Sequence, residues 1–322
     1  MKFTAAAHPN IAFIKYWGNR DDFLRIPANG SISMNLSDLE TRASVEFDAS
    51  LPEDQLMING ERAGESARKR VFAFLDVIRE LSGKKESACV ATESNFPQGA
   101  GIASSAAVFA ALALAGSRAA GMDLCEADLS RLARRGSGSA SRSVPGGYAE
   151  WLAGTDDETS SAVTLLKAAE WDLKDIILIL SSEHKKTTSS LGHQGAASSP
   201  FQDARVESTP ERLVSCRNAI LRKDFGALAE ISELDCLMMH AVMMTQNPPL
   251  FYWSGATLDL IKKIKSLRAE GLACFATVDA GPNVHVICPA QNAAEVKETL
   301  SHEAGIKEML ISGAGEGVRI IQ

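Results

Sequence analysis

The chain has 322 residues, with 33 Lys+Arg against 40 Asp+Glu and a formal net charge of −7. That length suits one large domain or two medium ones, and it can bury enough surface to need no disulfide or structural metal. Hydrophobic content of 45% and charged content of 23% exclude a wholly disordered, collagenous or coiled-coil chain. The acidic balance leaves no global basic field for nucleic acid or an anionic membrane.

The opening residues Met1 to Pro9 are too short and too polar for a secretory signal. Strand-like runs follow: Ile11 to Ile14 is apolar, while Ser31 to Leu36 and Ala43 to Phe47 alternate with period two. Asn59-Gly60 is a tight-turn signal after the run from Gln55 to Ile58, and it predicts a hairpin. Helical spacing from Arg68 to Leu81 runs through Val71, Phe74, Leu75 and Ile78. A strand around Ser87 to Thr92 leads through a glycine-rich loop into an Ala-rich helix from about Ala103 to Ala120. That loop and helix form the longest uncharged stretch, Ser94 to Ser117. Its continuous apolar part is about a dozen residues, short of the roughly 20 a membrane span needs. A helix over Glu126 to Arg135 precedes a second Gly/Ser stretch, Gly136 to Arg142.

After Trp151 the pattern resets. Ile176 to Leu180 reads as a fully apolar strand, and Leu191 to Asp203 is polar and ambiguous. Helices are predicted over Pro210 to Leu221, Phe225 to Met244 and Ser254 to Glu270, with Pro248-Pro249 stopping the second. Strands at Cys274 to Val278 and Val284 to Cys288 flank the turn Asp279-Ala280-Gly281-Pro282-Asn283. Strands and helices alternate without a strict βαβ rhythm, which favours α+β, with a boundary near residue 180. The six cysteines, Cys89, Cys125, Cys216, Cys236, Cys274 and Cys288, form no C-x-x-C pair. They read as buried thiols of a reducing, cytoplasmic compartment.

Four strings can carry chemistry. Asn95 to Ala107 brings glycines without Cβ to a helix start with two serines, an arrangement suited to anions. It is neither a P-loop nor a dinucleotide fingerprint, and its bland alternative is a structural turn before a buried helix. Ala7 to Asp21 places Lys15, Tyr16 and Trp17 at the end of an apolar strand; spacing alone favours an edge strand with a snorkelling lysine. Gly136 to Gly147 sets hydroxyls and Arg142 on a flexible loop suited to a polyanion, or to a plain surface linker. Thr277 to Val284 holds Asp279 before a Gly-Pro turn, where an Asx cap is the ordinary role. His8, His184, His193, His240, His285 and His302 have no metal-ligand spacing, and no Gly-x-Ser-x-Gly elbow is present.

In this order and over essentially the whole chain, the four strings resemble the GHMP kinase superfamily, and more closely its mevalonate diphosphate decarboxylase and phosphomevalonate decarboxylase branch. The resemblance implies an α+β, two-lobed GHMP kinase fold. An N-terminal ATP-binding lobe over residues 1–180 would be ribosomal protein S5 domain 2-like, and a C-terminal lobe over 181–322 ferredoxin-like. It implies an ATP-dependent carboxy-lyase of isoprenoid biosynthesis that uses ATP and Mg2+, a homodimer acting on a small phosphorylated mevalonate. Its catalytic residues would be Asp279, Lys15 and Arg142, with Asp279 orienting or deprotonating the C3 hydroxyl and Arg142 clamping the substrate carboxylate. Asn10, Tyr16, Trp17, Arg70, Ser137, Ser139 and His193 would contact the substrate. Pro97, Gly99, Gly101, Ala103, Ser104, Ser105 and Ala106 would cradle the nucleotide. Mg2+ would arrive with ATP, held by Ser104 or Ser105 and not by a dedicated protein site.

Two departures from the family pattern bear on the substrate. A second lysine expected after Gly18 is Asn19, and the segment Ser189-Ser190-Leu191-Gly192-His193 lacks the arginine of bacterial diphosphate enzymes. Each charge-assisted hydrogen bond contributes roughly 1.5–3 kcal/mol, so losing two cations disfavours a second phosphate. The expected substrate is therefore mevalonate 5-phosphate, giving isopentenyl phosphate. The alternatives are mevalonate 5-diphosphate, a mevalonate 3-kinase without decarboxylation, and a silent ATP-binding protein.

Overall fold

The computed structural model describes residues 1–96, 104–181 and 189–322. The first lobe is built on a six-stranded sheet in the order Arg319–Ile320, Phe3–Ala7, Thr41–Asp48, Ser87–Ser94, Gln55–Ile58, Glu61–Arg62. Its pairings are antiparallel except that of Gln55–Ile58 with Ser87–Ser94, which is parallel. The period-two pattern sets the faces: Ala43, Val45 and Phe47 point inward, and Arg42 stays exposed. Helices Glu65–Ser82, Ser104–Ala119 and Glu126–Gly136 cover that inner face with Val71, Leu75, Ile78, Phe109, Leu112 and Leu132. The hairpin predicted at Asn59-Gly60 is present, with both residues at positive φ.

A second sheet, in the order Ala162–Leu166, Tyr148–Trp151, Ser31–Asn35, Asn10–Ile14, is antiparallel throughout. Every residue of its last three strands is buried: Asn10–Ile14 runs apolar from Ile11 onward, whereas Ser31–Asn35 keeps its polar/apolar alternation with both faces covered. A two-stranded hairpin, Asn19–Asp21 with Ile26–Pro27, follows the strand that ends at Ile14.

The third sheet forms the second lobe. Its order is Phe275–Thr277, Val284–Pro289, Leu173–Ile179, Glu308–Gly313, all antiparallel. The chain enters it as strand, helices, two strands, helix Ala293–Ser301, strand, which is the ferredoxin-like arrangement. One face packs Ile176 and Leu178 on Leu260, Ile264 and Leu267 of helix Gly255–Ala269. The other face sends Leu173, Ile177, Phe275 and Ile287 into one cluster with Ile11, Phe13, Ile32 and Met34 of the first lobe. Strand Leu173–Ile179 already belongs to this sheet, so the change of lobe precedes the expected division at 180. The strand Arg319–Ile320 then returns to the first lobe.

Two expectations need correction. Cys89 and Cys125 are exposed, whereas Cys216, Cys236, Cys274 and Cys288 are buried. Strand alternation turns Cys89 away from its inward neighbours Ala88 and Val90, and Cys125 sits at a helix N-cap. The Gly/Ser stretch is not a flexible loop: Gly138–Ser143 is a 3-10 helix with Gly138 and Ala140 to Ser143 buried. Ser130 Oγ lies 2.8 Å from Ser141 Oγ, and Asn10 Nδ2 donates to the Ser139 carbonyl and Ser143 Oγ. Those bonds fix what glycine and serine alone would leave loose. No helix among the described residues is long and apolar enough to cross a membrane.

Candidate active site

The strand Asn10–Ile14 delivers Lys15 to the junction of the lobes, and the chain after Phe275–Thr277 delivers Asp279 opposite it. Lys15 Nζ donates to Asp279 Oδ1 at 2.6 Å; the lysine side chain is 1% exposed and the aspartate 23%. Burial alone would push the Asp279 carboxyl up. The Lys15 ammonium, the His285 ring and Arg142 together hold it below the ordinary carboxylate range. Nearby, His240 lies within 3.2 Å of the Val278 carbonyl and accepts from Trp253 Nε1. Burial first, then Lys15, pushes its pKa down to about 3, so its ring is neutral.

Lys15 is held through its backbone. Its N–H donates to Asp235 Oδ2 at 2.6 Å, while its carbonyl accepts from Asn29 and Arg205. Asp235 is fully buried and paired with Arg212 at 2.8 Å and Arg205 at 3.6 Å. Sequence reasoning missed this brace. The available signal was a carboxylate on the apolar stripe of helix Phe225–Thr245, between Ser232 and Met239.

Arg142 is 3% exposed and has no carboxylate within ion-pair distance among the described residues. Its Nε donates to Ser33 Oγ and Asn10 Oδ1, its Nη1 to Ser31 Oγ and its Nη2 to Asn10 Oδ1. That leaves one N–H on each terminal nitrogen, the pair that grips a carboxylate bidentately. Burial pulls its pKa down to about 10, with Asp279 and Tyr16 opposing, so it stays cationic at neutral pH. Asn10 thus serves as the seat of Arg142, at 1% exposure.

Tyr16 lies over Gly138, where an added Cβ would come within 2.5 Å of the ring; only glycine lets them approach. Its hydroxyl donates to Asn19 Oδ1 at 2.5 Å, and Asn19 Nδ2 donates to Asp22. Burial pushes the phenol well up, so it remains a neutral donor. His193 stacks on Tyr16 with ring centroids 4.1 Å apart and accepts the Gly18 N–H through Nδ1. Trp17 is 1% exposed, in a cluster with Met239, Val242, Met243 and Leu250, and donates to Gln246. It acts here as packing that seats the loop, not as an exposed contact.

Ser137 Oγ lies 3.1 Å from Ser105 Oγ and 3.4 Å from Ser139 Oγ, so the two Gly/Ser segments meet. Helix Ser104–Ala119 has no acidic residue in its first turn, and Ala106 in that turn is buried. A helix N-terminus with two hydroxyls and no carboxylate suits a polyphosphate. Pro97, Gly99, Gly101 and Ala103 lie outside the described residues. Arg70 donates from Nη2 to the Gly136 carbonyl at 3.0 Å, with its guanidinium over the Phe109 ring. A cavity of about 320 Å3 opens beside Gly18, Asn19 and His193, and its lining includes Asp22, Asp203 and Glu207. Arg20 also lines it, but its guanidinium is engaged by the carbonyls of Pro27, Ala153 and Gly154.

A ferredoxin-like lobe packed on a second α+β lobe, with a Lys-Asp pair and an arginine that has no carboxylate partner among the described residues, defines a GHMP-type enzyme. The comparisons take this further. Residues 7–162 match the diphosphomevalonate decarboxylase-like N-terminal domain, and residues 175–314 match the mevalonate 5-diphosphate decarboxylase C-terminal domain. The chain belongs to the diphosphomevalonate decarboxylase family, whose members are ATP-dependent decarboxylases. It is 38% identical to the diphosphomevalonate decarboxylase of Debaryomyces hansenii over 91% of this chain and 81% of that one. It is 32% identical to the phosphomevalonate decarboxylase of Haloferax volcanii over 94% and 92%. The mevalonate diphosphate decarboxylase of Enterococcus faecalis superposes with a TM-score of 0.93 at 36% identity, covering 100% of this chain and 99% of that chain. The structure of MDDEF in complex with MVAPP, AMPPCP and magnesium does so with 0.94, at the same identity and coverage.

Proposed function

We propose that the chain decarboxylates a mevalonate phosphorylated at C5, with ATP consumed. The carrying observation is that Arg142, without a carboxylate partner among the described residues, shares one site with the Lys15–Asp279 pair. The C3 hydroxyl of a tertiary alcohol is far too weak an acid to ionise unaided, and Asp279, kept ionised by Lys15, accepts its proton. Arg142 holds the substrate carboxylate so that the bond to the departing CO2 is fixed in orientation. The electron pair of that bond becomes the alkene as the C3 oxygen leaves with phosphate. Bound ATP with Mg2+ supplies the phosphoryl group that makes this oxygen a leaving group. Ser104, Ser105 and the helix N-terminus behind them are the described groups that suit its phosphates.

The number of phosphates on C5 divides the support. The relatives' names favour mevalonate 5-diphosphate, giving isopentenyl diphosphate. The local charge favours mevalonate 5-phosphate, giving isopentenyl phosphate, and it is the reading that the geometry supports best. Asn19 stands where a lysine was expected, its amide is used by Tyr16 and Asp22, and the adjoining cavity holds three carboxylates. The Haloferax relative's name agrees with it. Steady-state kcat/KM for both substrates, with CO2 and ADP measured together, tests this. The expected result is stoichiometric CO2 and ADP with a preference for the monophosphate, and Asp279→Asn without turnover but still binding nucleotide. A clear preference for the diphosphate sinks the finer reading, and ADP without CO2 points to a 3-kinase.

A further inference from the structure

Arg25 lies outside every motif discussed so far. It occupies the turn of the short hairpin, immediately before Ile26, with φ of 53°. Few non-glycine residues adopt that left-handed conformation, and here it directs a long cationic side chain back toward the first lobe. Arg25 Nε donates to the Arg135 carbonyl at 3.0 Å. Arg70 Nη2 donates to the next carbonyl, that of Gly136, also at 3.0 Å. Two guanidiniums therefore sit on consecutive carbonyls at the C-terminal end of helix Glu126–Gly136, the end whose dipole favours cations. The chain runs directly on into Ser137 and into Gly138, on which Tyr16 rests.

Neither arginine has a carboxylate within ion-pair distance among the described residues. Arg70 Nε is buried without a partner, and the described hydrogen bonds leave both Nη groups of Arg25 free. The two charges feel each other: burial first, then Arg25, pulls the Arg70 pKa down to about 10. Arg25 also acts on Tyr16, ahead of Arg142 and against Asp22. Holding like charges together with no counter-ion is unfavourable until an anion arrives between them.

We infer that Arg25 and Arg70 together bind the C5 phosphate of the substrate. This rests on the reading of a C5-phosphorylated mevalonate. It gives the first phosphate on C5 two cations, while a second phosphate would still meet no lysine at position 19. It also makes Arg25 a specificity-determining residue: it discriminates phosphorylated from free mevalonate without touching the reacting carbon.

The test compares wild type, Arg25→Gln and Arg25→Lys on mevalonate 5-phosphate, mevalonate 5-diphosphate and unphosphorylated mevalonate. Arg25→Gln is expected to raise KM for the phosphorylated substrates about ten- to a hundredfold, the worth of one charge-assisted hydrogen bond. Its kcat should change little, its kcat/KM on mevalonate should hold, and Arg25→Lys should recover part of the loss. Equal losses on all three substrates, or none, overturn the assignment. Calorimetric titration with inorganic phosphate and pyrophosphate separates this from a wrong substrate. If wild type turns over no mevalonate, weaker phosphate binding in Arg25→Gln still supports the anion site, and an unchanged Kd overturns it. A urea midpoint for each variant separates misfolding from lost contact.

Discussion

Lys15 and Asp279 illustrate how two residues set each other's chemistry. The aspartate would be a poor base if burial acted alone, since burial favours its neutral acid; the ammonium at 2.6 Å reverses that balance. The sign of the consequence is definite. A carboxyl depressed below its ordinary value of about 3.9 stays ionised through neutral pH, and activity is lost only as pH falls through the depressed value. Replacing Lys15 with Met removes the opposing charge and leaves burial against Arg142 and His285. The acid limb of kcat/KM for the residual activity should then move upward by about one unit or more. Profiles recorded from pH 4 to 9 for both proteins check this. An acid limb that stays put would remove Asp279 as the proton acceptor.

Helix Phe225–Thr245 shows the same logic one scale up. Its stripe Leu228, Ser232, Asp235, Met239, Val242 is buried, and the one carboxylate among these five is tolerated because Arg212, Arg205 and the Lys15 N–H surround it. Asp235→Ala leaves two buried guanidiniums without their anion. It should cost about 3–5 kcal/mol, read as a lower urea midpoint, with kcat reduced as Lys15 loses its brace. Asp235→Asn, which keeps an acceptor, should cost less; equal midpoints for wild type and Asp235→Ala would refute the brace. Elements of this kind explain what was legible. Thr41–Asp48, Glu65–Ser82 and Phe225–Thr245 carry their own periodicity, so their place and type could be read locally. Phe3–Ala7 could not, because three consecutive alanines have little strand preference; partners on both sides, Thr41–Asp48 and Arg319–Ile320, impose the strand. Lys15, Arg142 and Asp279 could be named through the resemblance their strings carry, not from spacing alone, but Asp235 lies 220 residues from Lys15 and Arg25 sits in a two-strand hairpin with no pattern. The Gly136 to Arg142 segment looked mobile because the bonds that order it come from Ser130 and Asn10, far from its own composition.

At the scale of the molecule, a net charge of −7 coexists with local positive charge: Lys15 and Arg142 act on Asp279 at the junction between the lobes, and Arg25 and Arg70 sit on the end of helix Glu126–Gly136. That junction is also a core. Ile11, Phe13, Ile32 and Met34 from the first lobe and Ile177, Phe275 and Ile287 from the second form one buried cluster, and Arg319–Ile320 pairs back onto Phe3–Ala7. Separating the lobes would expose these side chains at about 1.5–3 kcal/mol each. Seven of them together rival the roughly 5–15 kcal/mol by which a folded protein is stable at all. The lobes should therefore unfold together. Tryptophan fluorescence reports on both, through Trp151 in the second sheet and Trp253 beside the ferredoxin-like lobe. Its urea transition should coincide with that of far-UV circular dichroism in midpoint and slope. A fragment of residues 1–170, lacking both the facing cluster and the returning strand, should show no cooperative transition of its own. Two resolved transitions in the full chain, or a stably folded fragment, would mean that the shared cluster does not couple the lobes, and that Lys15 and Asp279 are brought together by something weaker than a common core.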